Sequence, residues 1–267
     1  MLSSFAQLIL GPGSKTMNLK ALQALLLAGA ASALLSTAAL AADAADFGAD
    51  ESSGLDWDIS FGVTVTSDYV ARGISYTDGG PAVQPEAEIS FWWLYAGWWG
   101  SNVTATNFSG SPSWENDFSV GIRPEFGPVS LDIGHVWYTF NDPADNGAGE
   151  AYIQASVTPM DPVTIGAQYW MGTGNGAGTD YAEINGSVDF MEHFSASAAV
   201  GWIIDPTTPY TTWNAGFTWT PVDPLEIDFR YHYAPSSVGG VSKFVVSASV
   251  SSSLRSLGLF GAPPPPP

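Results

Sequence analysis

The chain has 267 residues, no cysteine and a formal net charge of −19. The absence of cysteine excludes a disulfide framework and thiolate chemistry, and the strong negative charge repels nucleic acid. Such acidity often indicates disorder, but aromatic residues make up 13 % of this sequence, so a folded structure is expected.

Residues 1–41 are predicted to be removed from the mature protein. They combine an upstream extension with a secretory signal peptide, in which Lys20 precedes an apolar run at 21–35 and a small-residue cleavage site follows at 39–41. A retained helical anchor is the alternative interpretation. No later segment approaches the roughly 20 apolar residues that a membrane-spanning helix needs. Residues 42–54 are assigned to a periplasmic N-terminal segment.

Apolar and polar residues then alternate in twelve segments, each long enough to cross a bilayer as a tilted strand. In the first segment Trp57, Ile59 and Phe61 fall on one face, because successive side chains of a strand point to opposite faces. The predicted strands are 55–68, 81–92, 95–106, 114–124, 129–140, 150–158, 163–171, 181–190, 194–204, 210–220, 225–234 and 242–250.

The connections between these segments alternate between short and long. Short turns such as 159–162 and 221–224 carry paired prolines that bound the strands, whereas connections such as 69–80 are longer and rich in glycine and small polar residues. A β-sandwich tolerates such turns but does not require their alternation. We therefore predict an all-β fold, a 12-stranded antiparallel transmembrane β-barrel over 55–250 with short periplasmic turns and longer extracellular loops. Tryptophans near the strand ends fit a membrane interface.

Two strings in the first third of the chain are specific. Residues 67–75 read S-D-Y-V-A-R-G-I-S, followed by D-G-G-P-A-V-Q at 78–84, and residues 95–103 read Y-A-G-W-W-G-S-N-V. Together they resemble the TorF family of porins from proteobacterial outer membranes, which shows S-D-Y-x-x-R-G-I-S after its first strand and Y-A-G-x-W-G-S-N in its third. The resemblance implies an outer-membrane barrel that passes small solutes.

The C-terminus departs from the usual pattern of such barrels, which finish on a strand with a terminal aromatic residue. Residues 251–267 are instead predicted to form a proline-rich tail that ends in five prolines. Pentaproline cannot join the interior of a sheet, so an extended tail and an atypical assembly signal are expected.

Charged residues on the polar faces are expected to line the lumen, because charge is costly against lipid. An acidic wall favours cations over anions; alternatively, these charges only solvate the interior or lie at its rims. The candidates for lumen and selectivity residues are Asp58, Glu86, Glu88, Asp117, Arg123, Asp132, Glu183, Glu226, Asp228 and Arg230, and Asp56, Glu115 and Asp189 share their face. Barrels of eight strands have an interior that side chains fill, whereas barrels of 16 to 18 strands enclose an aqueous channel. A barrel of twelve strands is intermediate, so we expect a narrow pore.

The first long loop is a candidate constriction. We expect residues 69–80 to plug the pore in part, and Asp68 and Arg72 to pair with each other and fold this loop inward. The alternative is an ordinary loop ion pair, which contributes little at an exposed position.

No cofactor, metal site or enzymatic activity is predicted. The Asn- and Asp-rich segment 141–147 lacks the alternating spacing of a calcium loop, and the glycine-rich segment 172–178 neither opens a helix nor carries the lysine of a phosphate loop. His135 and His232 are expected in the interior and His193 in a turn, and no nucleophile elbow accompanies them.

The sequence thus predicts an outer-membrane porin-like channel for passive diffusion of small hydrophilic solutes or ions, with a narrow acidic lumen that prefers cations. Its expected partners are outer-membrane lipid and lipopolysaccharide, the barrel-assembly machinery and the permeating solutes; a homo-oligomer is left open. The alternative is a closed outer-membrane barrel with a structural or surface-interaction role. Tryptophan and tyrosine side chains filling the bore would favour that alternative.

Overall fold

The computed structural model describes residues 57–104, 108, 110–142 and 146–259. The predicted signal peptide, the periplasmic segment 42–54, the centre of the segment 141–147 and the five final prolines lie outside these residues. Within them, no helix has the length and apolar character to cross a membrane.

Twelve strands form a closed antiparallel barrel. In chain order, the strands of the described residues are β1 (Trp57–Thr66), β2 (Val70–Ala71), β3 (Ile74–Ser75), β4 (Ala82–Phe91), β5 (Leu94–Asn102), β6 (Trp114–Ile122), β7 (Glu125–Phe126), β8 (Val129–Phe140), β9 (Ala148–Met160), β10 (Val163–Gly174), β11 (Asp180–Met191), β12 (Phe194–Ile204), β13 (Tyr210–Val222), β14 (Leu225–Tyr233) and β15 (Ser242–Ser253). β2 and β3 form a separate hairpin, and the two-residue β7 pairs only with β8. The twelve longer strands make up the barrel, as the sequence predicts.

Pairing between the first and last strands closes the barrel. β1 pairs with β15 from Ser60↔Ser253 to Thr66↔Ser247, and β6 pairs with β8 on the far side. The last strand therefore extends three residues beyond the predicted boundary at Val250. The chain then turns back on β1, where the Arg255 guanidinium donates a hydrogen bond to the Trp57 carbonyl at 3.0 Å. The predicted start of the tail at residue 251 is thus too early.

Short and long connections lie at opposite ends of the barrel. Two-residue turns join β4 to β5, β7 to β8, β9 to β10, β11 to β12 and β13 to β14, and we call this the turn end. The longer connections lie at the other end, the loop end. The alternation predicted from the sequence is therefore present around the whole wall.

Side chains alternate between the outer and inner faces of the wall. On β1, Phe61, Val63 and Val65 are exposed outward, whereas the intervening Gly62 and Thr64 face inward and are half-buried. His135 is an exception to the sequence expectation. It lies on the outer face beside Trp137, with ring centroids 4.3 Å apart, and its Nε2 is 3.0 Å from the Thr173 hydroxyl.

The loop-end half of the interior is filled by side chains. The fully buried residues of this half are mostly aromatic and include Trp170, Tyr69, Tyr76, Tyr138 and Tyr181. Inward-facing glycines make room for several rings: a Cβ added at Gly201 would lie 2.6 Å from the Tyr181 ring, and one added at Gly121 would lie 2.6 Å from the Tyr95 ring. Neighbouring glycine and tyrosine positions thus pack the bore.

We expect Gly201→Val to lower the free energy of unfolding by about 1–3 kcal/mol, the usual cost of overpacking an interior. The measurement is the urea midpoint of the folded barrel in liposomes. Gly186→Val is the matched control, because the nearest atom to a Cβ at that outward position is the Thr164 carbonyl oxygen at 3.4 Å. Equal midpoints for the two variants would contradict the packing role of Gly201.

Candidate functional site

The loop between β1 and β4, residues 67–81, lies inside the lumen. We call it the plug loop. Its residues Tyr69, Ala71 and Tyr76 are 2 % exposed or less, and the Tyr69 ring meets Trp99 of the wall edge-to-face at 5.3 Å. The first of the specific sequence strings therefore forms a luminal element at the loop end of the barrel.

A two-residue turn gives the plug loop its shape. β2 and β3 pair as Val70↔Ser75 and Ala71↔Ile74, which leaves Arg72 and Gly73 as the connecting residues. Both have positive φ, 47° and 79°, which two-residue hairpin turns of this hand require. Glycine adopts this conformation readily, whereas Arg72 must be stabilised in it by its surroundings.

The tip of the hairpin is fixed to the wall. The Gly73 carbonyl accepts a hydrogen bond from the Val241 N–H at 2.9 Å. A Cβ added at Gly73 would lie 2.7 Å from the Thr212 hydroxyl and would overlap Ala234. The close approach therefore requires glycine at this position.

Arg72 makes a buried ion pair across the lumen. Its two terminal nitrogens donate to the two carboxylate oxygens of Glu150 on β9 at 2.8 and 2.9 Å, and both side chains are almost fully buried. Tyr138 donates to the same carboxylate at 2.6 Å, and the Tyr181 ring lies 4.2 Å from the guanidinium carbon. Burial alone would lower the pKa of Arg72, but the charge and hydrogen bonds of Glu150, with Tyr138 and Tyr181, together outweigh it. The net shift of the pKa is upward, so the guanidinium stays charged.

Asp68 anchors the base of the plug loop. Its Oδ1 accepts hydrogen bonds from the Ser75 hydroxyl at 2.6 Å and the Thr77 hydroxyl at 2.8 Å, and Lys243 on β15 donates to its Oδ2 at 2.7 Å. The carboxylate thus ties the two arms of the loop to each other and to the last strand.

The expected pairing of Asp68 with Arg72 is wrong. The structure brings each of them to a wall residue instead, Lys243 and Glu150 respectively. A single-loop pair would need the arginine to fold back on its own loop, whereas the hairpin turn points it away toward β9. Glu150 was missed as a partner, although it alternates with Tyr152 and Gln154 along β9 and so shares their face.

Two neighbouring acidic residues, which we call the acidic pair, lie against the plug loop. Glu115 and Asp117 on β6 are 0 % and 1 % exposed, and none of their carboxylate oxygens has a hydrogen-bond partner within the described ranges. The Tyr69 hydroxyl has no partner of good hydrogen-bond geometry there, but it lies close enough to Glu115 to interact with its carboxylate. Burial raises the pKa of Tyr69 well above its usual value, and the charges of Glu115 and Asp117 raise it further.

The predicted lumen residues all lie on the inner face. The set comprises Asp58, Glu86, Glu88, Asp117, Asp132, Glu183, Glu226, Asp228 and Arg230 on strands and Arg123 just after β6. Their environments differ: Asp117 is sealed at the loop end, whereas Glu86 and Glu226 are half-buried and have no ion-pair partner among the residues that the structure describes.

Two arginines organise the remaining charges toward the turn end. Arg123 binds Glu88 through both terminal nitrogens at 2.6 and 2.9 Å, and its Nε donates to Asp132 at 3.0 Å. The Arg230 guanidinium donates hydrogen bonds to the Asp228 carboxylate at 2.9 Å and to the Ser197 hydroxyl at 2.8 Å. These partly exposed networks reach across the wall, from the end of β6 to β4 and β8 and from β14 to β12, and leave Arg72 as the arginine of the loop end.

No group of three or more acidic or histidine side chains in the described part of the chain is arranged to hold a metal ion. The carboxylates of the interior thus include arginine-paired sites toward the turn end, the sealed pair beside the plug loop, and Glu86 and Glu226, which have no ion-pair partner among the described residues.

Residues 49–246 match the family model described as "Bacterial protein of unknown function (Gcw_chp)". The chain belongs to the Gcw_chp family. The match does not confirm the TorF name suggested by the two sequence strings. No protein with a curated function matches the chain.

Solved structures similar to this Gcw_chp chain are outer-membrane channels. A KdgM porin has a TM-score of 0.52 at 8 % identity, over 73 % of this chain and 97 % of that chain. A KdgM porin in complex with disordered oligogalacturonate gives 0.51 at 8 % identity, over the same shares. An outer-membrane channel from Pseudomonas putida F1 gives 0.41 at 11 % identity, over 78 % and 99 %. At these identities the likeness to the KdgM porin shows the fold, a porin-like barrel.

We expect Glu150→Gln to loosen the plug loop of the Gcw_chp barrel, because it leaves the buried Arg72 charge without a partner. Breaking a buried ion pair costs about 3–5 kcal/mol. The measurement is hydrogen–deuterium exchange of residues 69–77, which should speed up, and the double variant R72M/E150Q should exchange more slowly than Glu150→Gln alone.

Asp228→Asn is the control for this experiment, since it breaks a half-exposed pair toward the turn end. It should leave the exchange of residues 69–77 unchanged. Unaltered exchange in Glu150→Gln would show that the pair does not fix the plug loop.

Proposed function

We propose that the protein is an outer-membrane channel for passive diffusion of small hydrophilic solutes or ions, that it prefers cations, and that the plug loop controls passage at the extracellular end. The observation that carries the proposal is a closed porin-like barrel whose inward positions bear charged residues from one end to the other. A barrel of purely structural role has no need for a charged interior, since charge is costly to bury.

The balance of inward charge supports the cation preference. Arg72, Arg123 and Arg230 are each bonded to carboxylates, so their positive charge is offset locally. Glu86 and Glu226 have no such partner among the described residues, and they give the half-exposed part of the lumen an excess of negative charge. Rings of acidic side chains select cations in pores. The oligogalacturonate named with one KdgM structure carries carboxylates, which this interior repels, so we propose a different class of solute.

Location in the outer membrane is part of the same proposal. It is supported by the porin-like fold, by the exposed apolar residues of the outer face and by the signal peptide predicted before residue 42. The resemblance to TorF porins agrees with it, and the first of the two strings that carry this resemblance forms most of the plug loop.

A closed barrel is the second candidate, and one observation favours it. Tyrosine and tryptophan side chains, together with the plug loop, fill the loop-end half of the bore. If this packing is permanent, the protein conducts nothing and serves a structural or surface role. Displacing the plug loop therefore separates the two candidates.

We expect the mature protein in planar bilayers to show a small conductance with a cation-selective reversal potential in a KCl gradient. The variant E86Q/E226Q should lower the ratio of cation to anion permeability by roughly two- to fivefold, since one charge a few ångströms away in water is worth up to about 1 kcal/mol. Glu192→Gln, in an exposed turn, is the matched control and should keep the original ratio. An unchanged ratio in the double variant would remove the acidic wall as the source of selectivity.

We expect Gly73→Val to increase the open fraction of the channel. The substitution forces valine into a positive φ and against Thr212 and Ala234, so the seated hairpin loses about 1–3 kcal/mol, equivalent to a roughly 5- to 150-fold change in the seated fraction. Single-channel recording provides the measurement. Gly178→Val is the control, because it has the same type of strained backbone, φ 98°, with no atom within 4 Å of its Cβ. A folded but silent Gly73→Val barrel would instead support the closed structural candidate.

A further inference from the structure

Glu115 and Asp117 are buried, and no lysine or arginine of the described residues forms an ion pair with them. They are neighbours on the inner face of β6, two residues apart, and face Ser101 and Trp99 on one side and Phe140 and Tyr138 on the other. None of these four residues is a cation. The carboxylate oxygens make no hydrogen bond of good geometry among the described residues, and the hydroxyl that interacts with Glu115 is that of the uncharged Tyr69.

Arg72, the cation of the plug loop, is already engaged by another carboxylate. Both terminal nitrogens of Arg72 bind Glu150, and the two charges of that pair offset each other. Asp117 interacts unfavourably with both Glu115 and Glu150. The region beside the plug loop therefore holds three carboxylates against a single guanidinium.

The plug loop itself covers the acidic pair. Tyr69 and Tyr76 come from this loop, and both are raised in pKa by burial and by the charge of Glu115. The titratable or charged groups that face the pair are Tyr69, Tyr76 and Arg72 from the plug loop, Tyr138 from β8 and Glu150 from β9. When the loop is seated, it excludes water from Glu115 and Asp117.

Two ionised carboxylates in such a place are too costly to persist. The penalty for burying an unpaired charge is several kcal/mol, and a titratable group escapes it by binding a proton. If the plug loop leaves, water reaches both side chains and each proton can dissociate. Proton binding and loop seating are therefore linked, since the seated state takes up protons that the unseated state releases.

We propose that Glu115 and Asp117 form a proton-binding site that controls the seating of the plug loop. At low pH the pair is protonated and the loop stays in the lumen. As the pH rises, loss of the protons drives the loop out. The site is distinct from Glu86 and Glu226, the carboxylates to which the cation preference is assigned, and it operates whether or not the barrel conducts.

The test measures the position of the loop without any current. Because the chain has no cysteine, Ala71→Cys places a unique thiol on the plug loop at a position that is 0 % exposed. A water-soluble maleimide labels this thiol only when the loop is unseated. Ser237→Cys, at an exposed position in the single-turn 3-10 helix Ser236–Val238, provides the reference rate and removes the effect of pH on the thiol itself. Ile74→Cys, also buried, is a second reporter in case Ala71→Cys folds poorly.

We expect the relative labelling rate of Ala71→Cys in the full mature barrel to rise by more than about tenfold between pH 5 and pH 8, because each released proton contributes up to a factor of ten per pH unit. Adding E115Q/D117N replaces both acids by amides that cannot ionise. The rate should then stay low at every pH. Adding Glu192→Gln instead should preserve the rise.

Two results would overturn the proposal. One is a relative rate that does not change with pH; if Ca²⁺ alone then protects the thiol, the pair holds a metal ion instead. The other is a rise that survives in E115Q/D117N, which would assign the pH response to other groups. If bilayer recordings show no current but the labelling rate still depends on pH, the proposed channel function is excluded and the proton-binding site stands.

Discussion

Hydrogen bonding between β1 and β15 is the constraint on which the rest of the structure depends. In hydrocarbon, every unpaired backbone N–H or C=O costs several kcal/mol, so a sheet can cross a membrane only when its first and last strands meet. The seam from Ser60↔Ser253 to Thr66↔Ser247 meets that requirement. Once the wall is closed, its outer positions can be valine, isoleucine and phenylalanine, and its inner positions must accommodate whatever polar groups remain.

The contents of the lumen follow from the size of the wall. Twelve strands enclose more space than the side chains of the wall alone can fill and less than an open porin has. Here the loop-end half is occupied by the plug loop and by rings such as Tyr181, which packs over Gly201. The inserted loop brings polar groups with it, and partners for them come from elsewhere in the chain. Glu150 binds Arg72, Lys243 binds Asp68, and the Val241 N–H donates to the Gly73 carbonyl. The interior therefore combines a dense region at one end with half-exposed charge networks at the other.

The barrel itself could be predicted from the sequence because alternation of side chains is a local signal. It specified twelve strands and the inward face of residues such as Glu88 and Asp228. The same parity places His135 outward, since Asp132 three residues earlier points inward, so the expectation of an interior His135 conflicts with the alternation itself. The end of β15 was missed because Ser251–Ser253 has no apolar residue to show alternation. The β2–β3 hairpin is too short for a periodic signal, and the Arg72–Glu150 pair joins residues 78 positions apart, so only the folded wall reveals it.

The plug loop is attached to the first strand, but its partners are distributed along the rest of the chain. Gly73 meets Val241, Arg72 meets Glu150, and Asp68 meets Lys243 on the final strand. Contacts between such distant segments form late in folding, because long stretches of chain must be ordered before these contacts can stabilise the fold. The contacts of the seated hairpin are therefore complete only when β9, the segment before β15 and β15 itself are all in place. Seating of the plug loop and closure of the barrel therefore depend on the same strand: Lys243 of β15 binds Asp68, and Ser247–Ser253 of β15 pairs with β1.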